Sequence, residues 1–451
     1  MVRVTDLQSV DDQMYATLHP FTYMAGQLAS AEQFQTANLC LVKGSGVWAA
    51  DSRNHWHFYA TTAVPSVGLG NAEVIRRITQ QYETLSFGST CAQTHPLIEQ
   101  LSRRLIAWTG EPFTQVFYSN DGSGAVETAM RLARQYHIAA GEKKRTKFIS
   151  LEGNYHGTTF ATGSVTHMGI RETFGPGLHD CHAAPAPNLF RPPIDGSQET
   201  VIRYCTDLLE ELIFELSPNE VAAVLLEPIQ GVYGIVPIPE TFIRNVRAIT
   251  EKYGILLIMD EVATGCGRTG SWTASQALGI QPDFLALSKG LTGGYFPMGA
   301  TLIADPVKGR LFGEGGIFLH GSTQSGHPVG CAAALAVMDY IEEWELIENA
   351  DVMGAHILDS LRSGLQHYGN VGDIRGKGMM LGIEFVKNKL AKEPVDYDFG
   401  ERLSAALKRE GVLGNWFNGT LLLYPPLTTT RMEADYLIQG VTKAVISLGM
   451  E

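Results

Sequence analysis

The chain has 451 residues but only six cysteines, and no two of them form a CxxC pair. Cys40, Cys91, Cys181, Cys205, Cys266 and Cys331 are scattered, which argues against a disulfide framework or a zinc knuckle and suits reduced thiols. No stretch of about 18 apolar residues occurs, so no segment is suited to cross a membrane as a helix. The opening MVRVTDLQSVDDQMY lacks the apolar centre of a secretory signal, and the expectation is a soluble, cytoplasmic protein. Basic charge is also scarce. A formal net charge of −13 speaks against a general nucleic-acid binder, whose phosphate contacts need a basic face. Internal repeats, low-complexity tracts and charge runs are all missing. What remains is 45% hydrophobic and 18% charged residues, ample for a large core with a smaller satellite domain.

Short apolar runs bounded by turn residues read as buried strands: Gln115–Tyr118, Lys147–Leu151, Ala222–Leu226, Ile255–Met259 and Phe284–Leu287. Continuous Val, Ile and Leu without alternation is the pattern of parallel strands covered on both faces. Helix-length segments lie between them, such as Gly124–Tyr136 and Glu240–Tyr253, where Phe242, Val246 and Ile249 share one stripe. This alternation predicts an α/β domain with a mostly parallel sheet over residues 66–328. From residue 329 onward one long helix entered through Pro328, then short strands at Met379–Phe385 and Thr420–Tyr424, predict a small α+β domain to residue 451. Residues 1–65, with strand-like pieces at Cys40–Val42 and Val47–Ala50, are expected to pack with it.

Chemistry-bearing residues recur where these strands end. Lys289 sits in LALSKGLTGG, between an apolar strand and a glycine-rich turn. Desolvation there disfavours the ammonium, and a neutral amine can attack a carbonyl to form a Schiff base. Asp260 closes ILLIMDEV, at the strand edge where open parallel sheets bind ligands. A buried carboxylate needs a cationic or proton-donating partner, such as a protonated pyridine nitrogen, or else it caps a helix. Asp121-Gly122-Ser123-Gly124 opens a helix and aims free N–H groups at an anion. Tyr155, before His156, offers an aromatic face, Glu227 ends another strand, and Thr323 lies in HGSTQSGHP before a helix. Each has a plain structural alternative; their order along the chain is far more specific.

That order resembles the class III pyridoxal-phosphate aminotransferases of fold type I, over roughly Ala50 to Pro426. The blocks MDEVATGCGRTG and LALSKGLTGGYFPMGATLIA carry the resemblance. HPFTYM and HGSTQSGHPVGCAAALA add likeness to the branch that makes 7,8-diaminopelargonate in biotin synthesis. The resemblance implies pyridoxal 5'-phosphate as cofactor, Lys289 as the Schiff-base and proton-shuttling residue, and Asp260 as the pyridinium partner. It implies Val262 and Tyr155 against the two ring faces, with His156 beside them. Gly122 and Ser123 would hold the phosphate, Glu227 the ring environment, and Thr323 would come from the second subunit of a homodimer with shared sites. An amine donor and a carbonyl acceptor are the implied small-molecule partners.

The chain also departs from that branch. The position of a carboxylate-gripping arginine is taken by Asn415, an aromatic pair of the first substrate wall by the small residues of ATTAVPSVG (Ala60–Gly68), and the tyrosine of HPYT by Phe21. An arginine–carboxylate fork is strong and geometrically specific, so its loss argues for a bulkier, uncharged or cationic substrate such as an amino sugar, aminoglycoside or polyamine. Arg191, Arg375 or Arg431 remain as substitutes for the grip. The biotin-pathway reaction, a cofactor-dependent epimerase or aminomutase, and a catalytically dead scaffold are the alternatives.

Overall fold

A computed structural model describes residues 39–311 and 317–449, so Phe21 lies outside the described residues. The apolar runs form the middle of a seven-stranded sheet. Its spatial order is Phe113–Ser119, Gly299–Ala304, Phe284–Leu287, Leu256–Asp260, Val221–Leu226, Lys147–Leu151 and Cys181–Ala184. All run parallel except Gly299–Ala304, which is antiparallel to both neighbours. Every residue of Val221–Leu226, Leu256–Asp260 and Phe284–Leu287 is buried, as expected of strands covered on both faces. On one face lie helices Pro96–Thr109, Gly122–Ala139 and Pro328–Glu343. On the other lie Gln198–Glu215 and Glu240–Tyr253, the latter presenting Phe242, Ile243, Val246 and Ile249.

The two ends of the described chain meet in the satellite. Trp56–Tyr59 pairs in parallel with Val412–Leu413, closing a four-stranded sheet with Leu41–Ser45 and Trp48–Asp51. A five-stranded sheet built on Val371–Lys377, Met380–Asn388, Thr420–Leu423 and Asn415–Phe417 packs under helices Leu346–Leu365, Tyr397–Arg409 and Arg431–Ile446.

Two expectations change. The long helix after Pro328 is two helices, Pro328–Glu343 and Leu346–Leu365. Glu345 stands between them at φ +49°, a left-handed conformation that a continuous helix cannot contain. The strand expected at Ile255–Met259 is Leu256–Asp260, which takes the carboxylate into its last position.

Candidate active site

Because four neighbouring strands run parallel, the residues that follow them emerge along one edge of the sheet. Lys289 follows Phe284–Leu287, Asp260 ends Leu256–Asp260, Glu227 follows Val221–Leu226, and Tyr155 and His156 follow Lys147–Leu151. The sheet therefore gathers residues that are far apart in sequence.

Asp260 is 4% exposed and both of its oxygens have donors. Oδ1 accepts from Val262 N at 3.0 Å and Oδ2 from His156 Nδ1 at 2.7 Å. No lysine or arginine forms an ion pair with it among the described residues. Glu227 is equally buried and accepts from Tyr155 N at 2.8 Å and Gly231 N at 3.1 Å. Burial still dominates and pushes the Glu227 carboxyl up to about 7, the nearby Asp260 adding to the rise.

That shift carries a testable consequence for the cofactor-free protein. Between its ordinary 4.5 and about 7, folded Glu227 holds a proton that the unfolded chain has released. Stability contributed by this group is therefore full below 4.5 and is lost as pH rises through 7, by up to about 3 kcal/mol. Denaturant unfolding at pH 5 and pH 8 should show a steeper loss for the natural chain than for Glu227→Gln. Parallel losses in the two proteins would refute it.

Lys289 is half-buried at φ +36°, in a region that costs a non-glycine residue about 1–3 kcal/mol. Its surroundings enforce this geometry: Ser288 Oγ donates to Met298 O at 2.7 Å, and Ser66 Oγ donates to Gly290 O at 3.0 Å. Burial holds the Lys289 amine below the usual lysine range; Asp260 and Glu227 oppose this, and Arg268 reinforces it. The result is an amine more available as a nucleophile and base than a surface lysine.

Arg268 is a residue the sequence reading passed over. It is 2% exposed with no carboxylate partner among the described residues, and it donates to the carbonyl oxygens of Pro425, Met379 and Ala63. Burial lowers it to about 10. The motif GCGRTG contained it, but its three acceptors come from distant segments that no spacing rule connects.

The expected anion turn opens helix Gly122–Ala139, where Asp121 Oδ1 accepts from Gly124 N at 2.6 Å. The N–H groups of Gly122 and Ser123 stand at the open helix end. Two glycines are sterically required. A Cβ at Gly122 would stand 2.7 Å from Val262 Cγ1, and one at Gly157, whose φ is +121°, would stand 2.2 Å from Ser123 Oγ. The turn is therefore packed against both Val262 and the segment that carries Tyr155 and His156. Tyr155 is half-buried; burial raises its hydroxyl, and the carboxylates of Asp260, Glu227 and Asp121 add to the effect.

Thr323 is not brought into this cluster: it is exposed, in a loop whose Ser322 Oγ accepts from Asn120 Nδ2 at 2.8 Å. Asn415 is exposed on strand Asn415–Phe417, its Oδ1 accepting from Trp416 N at 2.8 Å. The stretch Ala60–Gly68 does reach the lysine loop, through the Ser66–Gly290 bond, and it meets the satellite where Tyr424 N donates to Ala60 O at 2.9 Å.

Two of the three candidate arginines are engaged elsewhere. Arg375 pairs with Glu384 at 2.6 Å and Asp373 at 3.0 Å, and its Nε donates to Gly234 O and Ile235 O. Arg191 shares Glu384 and donates to Lys392 O. Arg431 is solvent-exposed on helix Arg431–Ile446, beside Asp435. Arg191 and Arg375 are thus committed to protein partners, and Arg431 faces solvent.

The geometry suits a flat, anionic cofactor: a buried carboxylate, an amine with a lowered pKa, an aromatic ring and an open helix N-terminus meet at one sheet edge. Comparison with known proteins agrees. Residues 29–445 match the class-III aminotransferase family. An adenosylmethionine-8-amino-7-oxononanoate aminotransferase from Geobacter sulfurreducens is 33% identical, covering 95% of this chain and 95% of its own. An amine transaminase from an uncultivated Pseudomonas species, solved in its PLP-bound form, superposes with a TM-score of 0.92 at 34% identity, over 97% of this chain and 99% of its own. An (S)-enantioselective omega-transaminase from Thermomicrobium roseum gives 0.90 at 34% identity, over 96% of each chain. The chain thus belongs to the class-III aminotransferases, enzymes of fold type I whose cofactor is pyridoxal phosphate.

Proposed function

We propose that this aminotransferase moves an amino group between a donor amine and an aldehyde or ketone whose reacting end is not held by a carboxylate grip. The observation that carries this reading is the arginine inventory. Arg191 and Arg375 are spent on Glu384, Arg431 faces solvent, and Asn415 stands where the family resemblance places a gripping arginine. A solved relative named as an amine transaminase supports the same substrate class. Within it, amino sugars, aminoglycosides and polyamines are the candidates.

Bound pyridoxal phosphate supplies an aldehyde carbon that links to amines and a ring that takes up an electron pair. The chain's own residues do the rest. Lys289 would hold the cofactor through its Nζ, and the same Nζ, once free, would take up and return the proton as a general base. Asp260 would face the ring nitrogen and keep it protonated, and His156 Nδ1 and Val262 N orient Asp260. Gly122 and Ser123 hold the phosphate, while Val262 and Tyr155 enclose the ring and exclude water. The chain works as a homodimer in which Thr323, exposed beside Leu319 at 87% and Ile317 at 75% exposure, serves a second copy's phosphate.

The test is a panel of donors and acceptors offered to purified enzyme, scored by product formation. Amino sugars, polyamines and simple amines should exceed matched ω-amino acids in kcat/KM by about tenfold or more, the worth of a lost charge-assisted fork. Preference for carboxylate-ended partners, 8-amino-7-oxononanoate among them, would sink the reading. So would conversion of a substrate without consumption of a donor, which would mark an epimerase or aminomutase.

A further inference from the structure

Behind Asp260 the polar groups form a chain that runs away from the site. Asp260 Oδ2 meets His156 Nδ1 at 2.7 Å, and His156 Nε2 meets Asn154 Nδ2 at 3.2 Å. Asn154 Oδ1 accepts from Gln230 Nε2 at 2.8 Å, and Gln230 Nε2 also donates to the backbone carbonyl of Glu152 at 2.7 Å. His156, Asn154 and Gln230 are all at most 2% exposed, so no bulk water can substitute for a missing partner. Gln230 Oε1 has no partner at all among the described residues, which shows how little freedom this amide has.

The directions of these bonds are not interchangeable. A backbone carbonyl can only accept, so Glu152 O compels Gln230 to present its NH2 group. That NH2 compels Asn154 to present Oδ1 to Gln230 and therefore Nδ2 to His156. A donor facing Nε2 requires Nε2 to be the bare, accepting nitrogen, which leaves the single ring proton on Nδ1, aimed at Asp260. Rotating either amide to reverse the sense would set two acceptors against each other in a dry interior, which costs a buried polar group its bond.

We propose that Asn154 and Gln230 are positioning residues that fix the tautomer of His156, so that its Nδ1 proton is aimed at Asp260. This rests on the assignment of Asp260 to the cofactor ring but concerns the protein alone, and it can be read without cofactor. The other ionisable groups around His156 are Asp260 and Glu227 at the adjacent strand ends, Lys289 beyond them, and His167 behind. Burial holds His167 down at about 4, so it adds no positive charge near neutrality.

Nitrogen-15 NMR of histidine-labelled, cofactor-free protein tests the proposal, with His156→Gln identifying the resonance. In the natural chain, His156 should carry its ring proton on Nδ1 and leave Nε2 bare. Asn154→Asp, isosteric but accepting only, should draw a proton onto Nε2, which the nitrogen-15 shifts of the ring report directly. Gln230→Glu should act the same way from one residue further back, by turning the Asn154 amide, and it keeps the test alive if the first variant does not fold. A natural chain with its proton on Nε2 would overturn the proposal. So would folded variants whose His156 resonances match the natural ones. In the loaded enzyme the same two variants should lower kcat with little change in donor KM, whereas a purely structural loss would change thermal stability and leave the His156 protonation state unmoved.

Discussion

Lys289→Ala is expected to lower turnover by about four to six orders of magnitude, because one side chain serves as both nucleophile and base. The loss should come without unfolding. Half-buried Lys289 is desolvated, so its replacement removes a group that burial disfavours, and the melting temperature of the cofactor-free protein should hold or rise. Steady-state rates and a thermal melt on the same sample check both halves. Activity retained within tenfold would show that another base does the work. The variant also reports on how chains pair. If Thr323 serves the neighbouring subunit, mixing Lys289→Ala chains with Thr323→Ala chains restores activity, since each mixed pair then contains one intact site. If Thr323 serves its own subunit, no mixture recovers anything.

Asp260→Asn should be the second most damaging change, at about two to three orders of magnitude in kcat, the 3–5 kcal/mol typical of breaking a buried charge pair. An amide keeps the shape of the side chain, and its oxygen can still accept from either Val262 N or His156 Nδ1. What disappears is the negative charge that holds a proton on the ring nitrogen. Kinetics with an amine donor, together with cofactor affinity by dialysis, would separate the two losses. A variant with weaker cofactor binding but unchanged kcat at saturation would show that Asp260 only anchors.

Much of this site was legible because four of its residues follow strands of unbroken aliphatic sequence. Runs such as ILLIMD and FLAL can only be buried, and whatever polar residue follows must emerge at the sheet edge. Other parts left no such trace. Cys181–Ala184, read CHAA, is too short and too polar to announce an edge strand, and its strand nature comes from pairing with Lys147–Leu151. Gly299–Ala304 is as apolar as its neighbours, yet its reversed direction follows from the tight return of the chain after Lys289. Arg268, Asn154 and Gln230 were illegible for a different reason. Their partners are backbone carbonyls or amides, and a hydrogen bond to a backbone atom places almost no demand on residue type at the other end.

Arg268 has one more consequence, for behaviour in concentrated salt. The surface ion pairs of this protein, such as Arg76 with Glu73, lie in solvent and weaken as ions screen them. The joint between the lysine-bearing sheet and the satellite has a different composition. There a buried guanidinium reaches carbonyl oxygens at Ala63, Met379 and Pro425, with no mobile ion able to approach. Salt that strips the outer charge pairs leaves these buried hydrogen bonds unscreened, so the joint between sheet and satellite holds in brines where the surface electrostatics have gone.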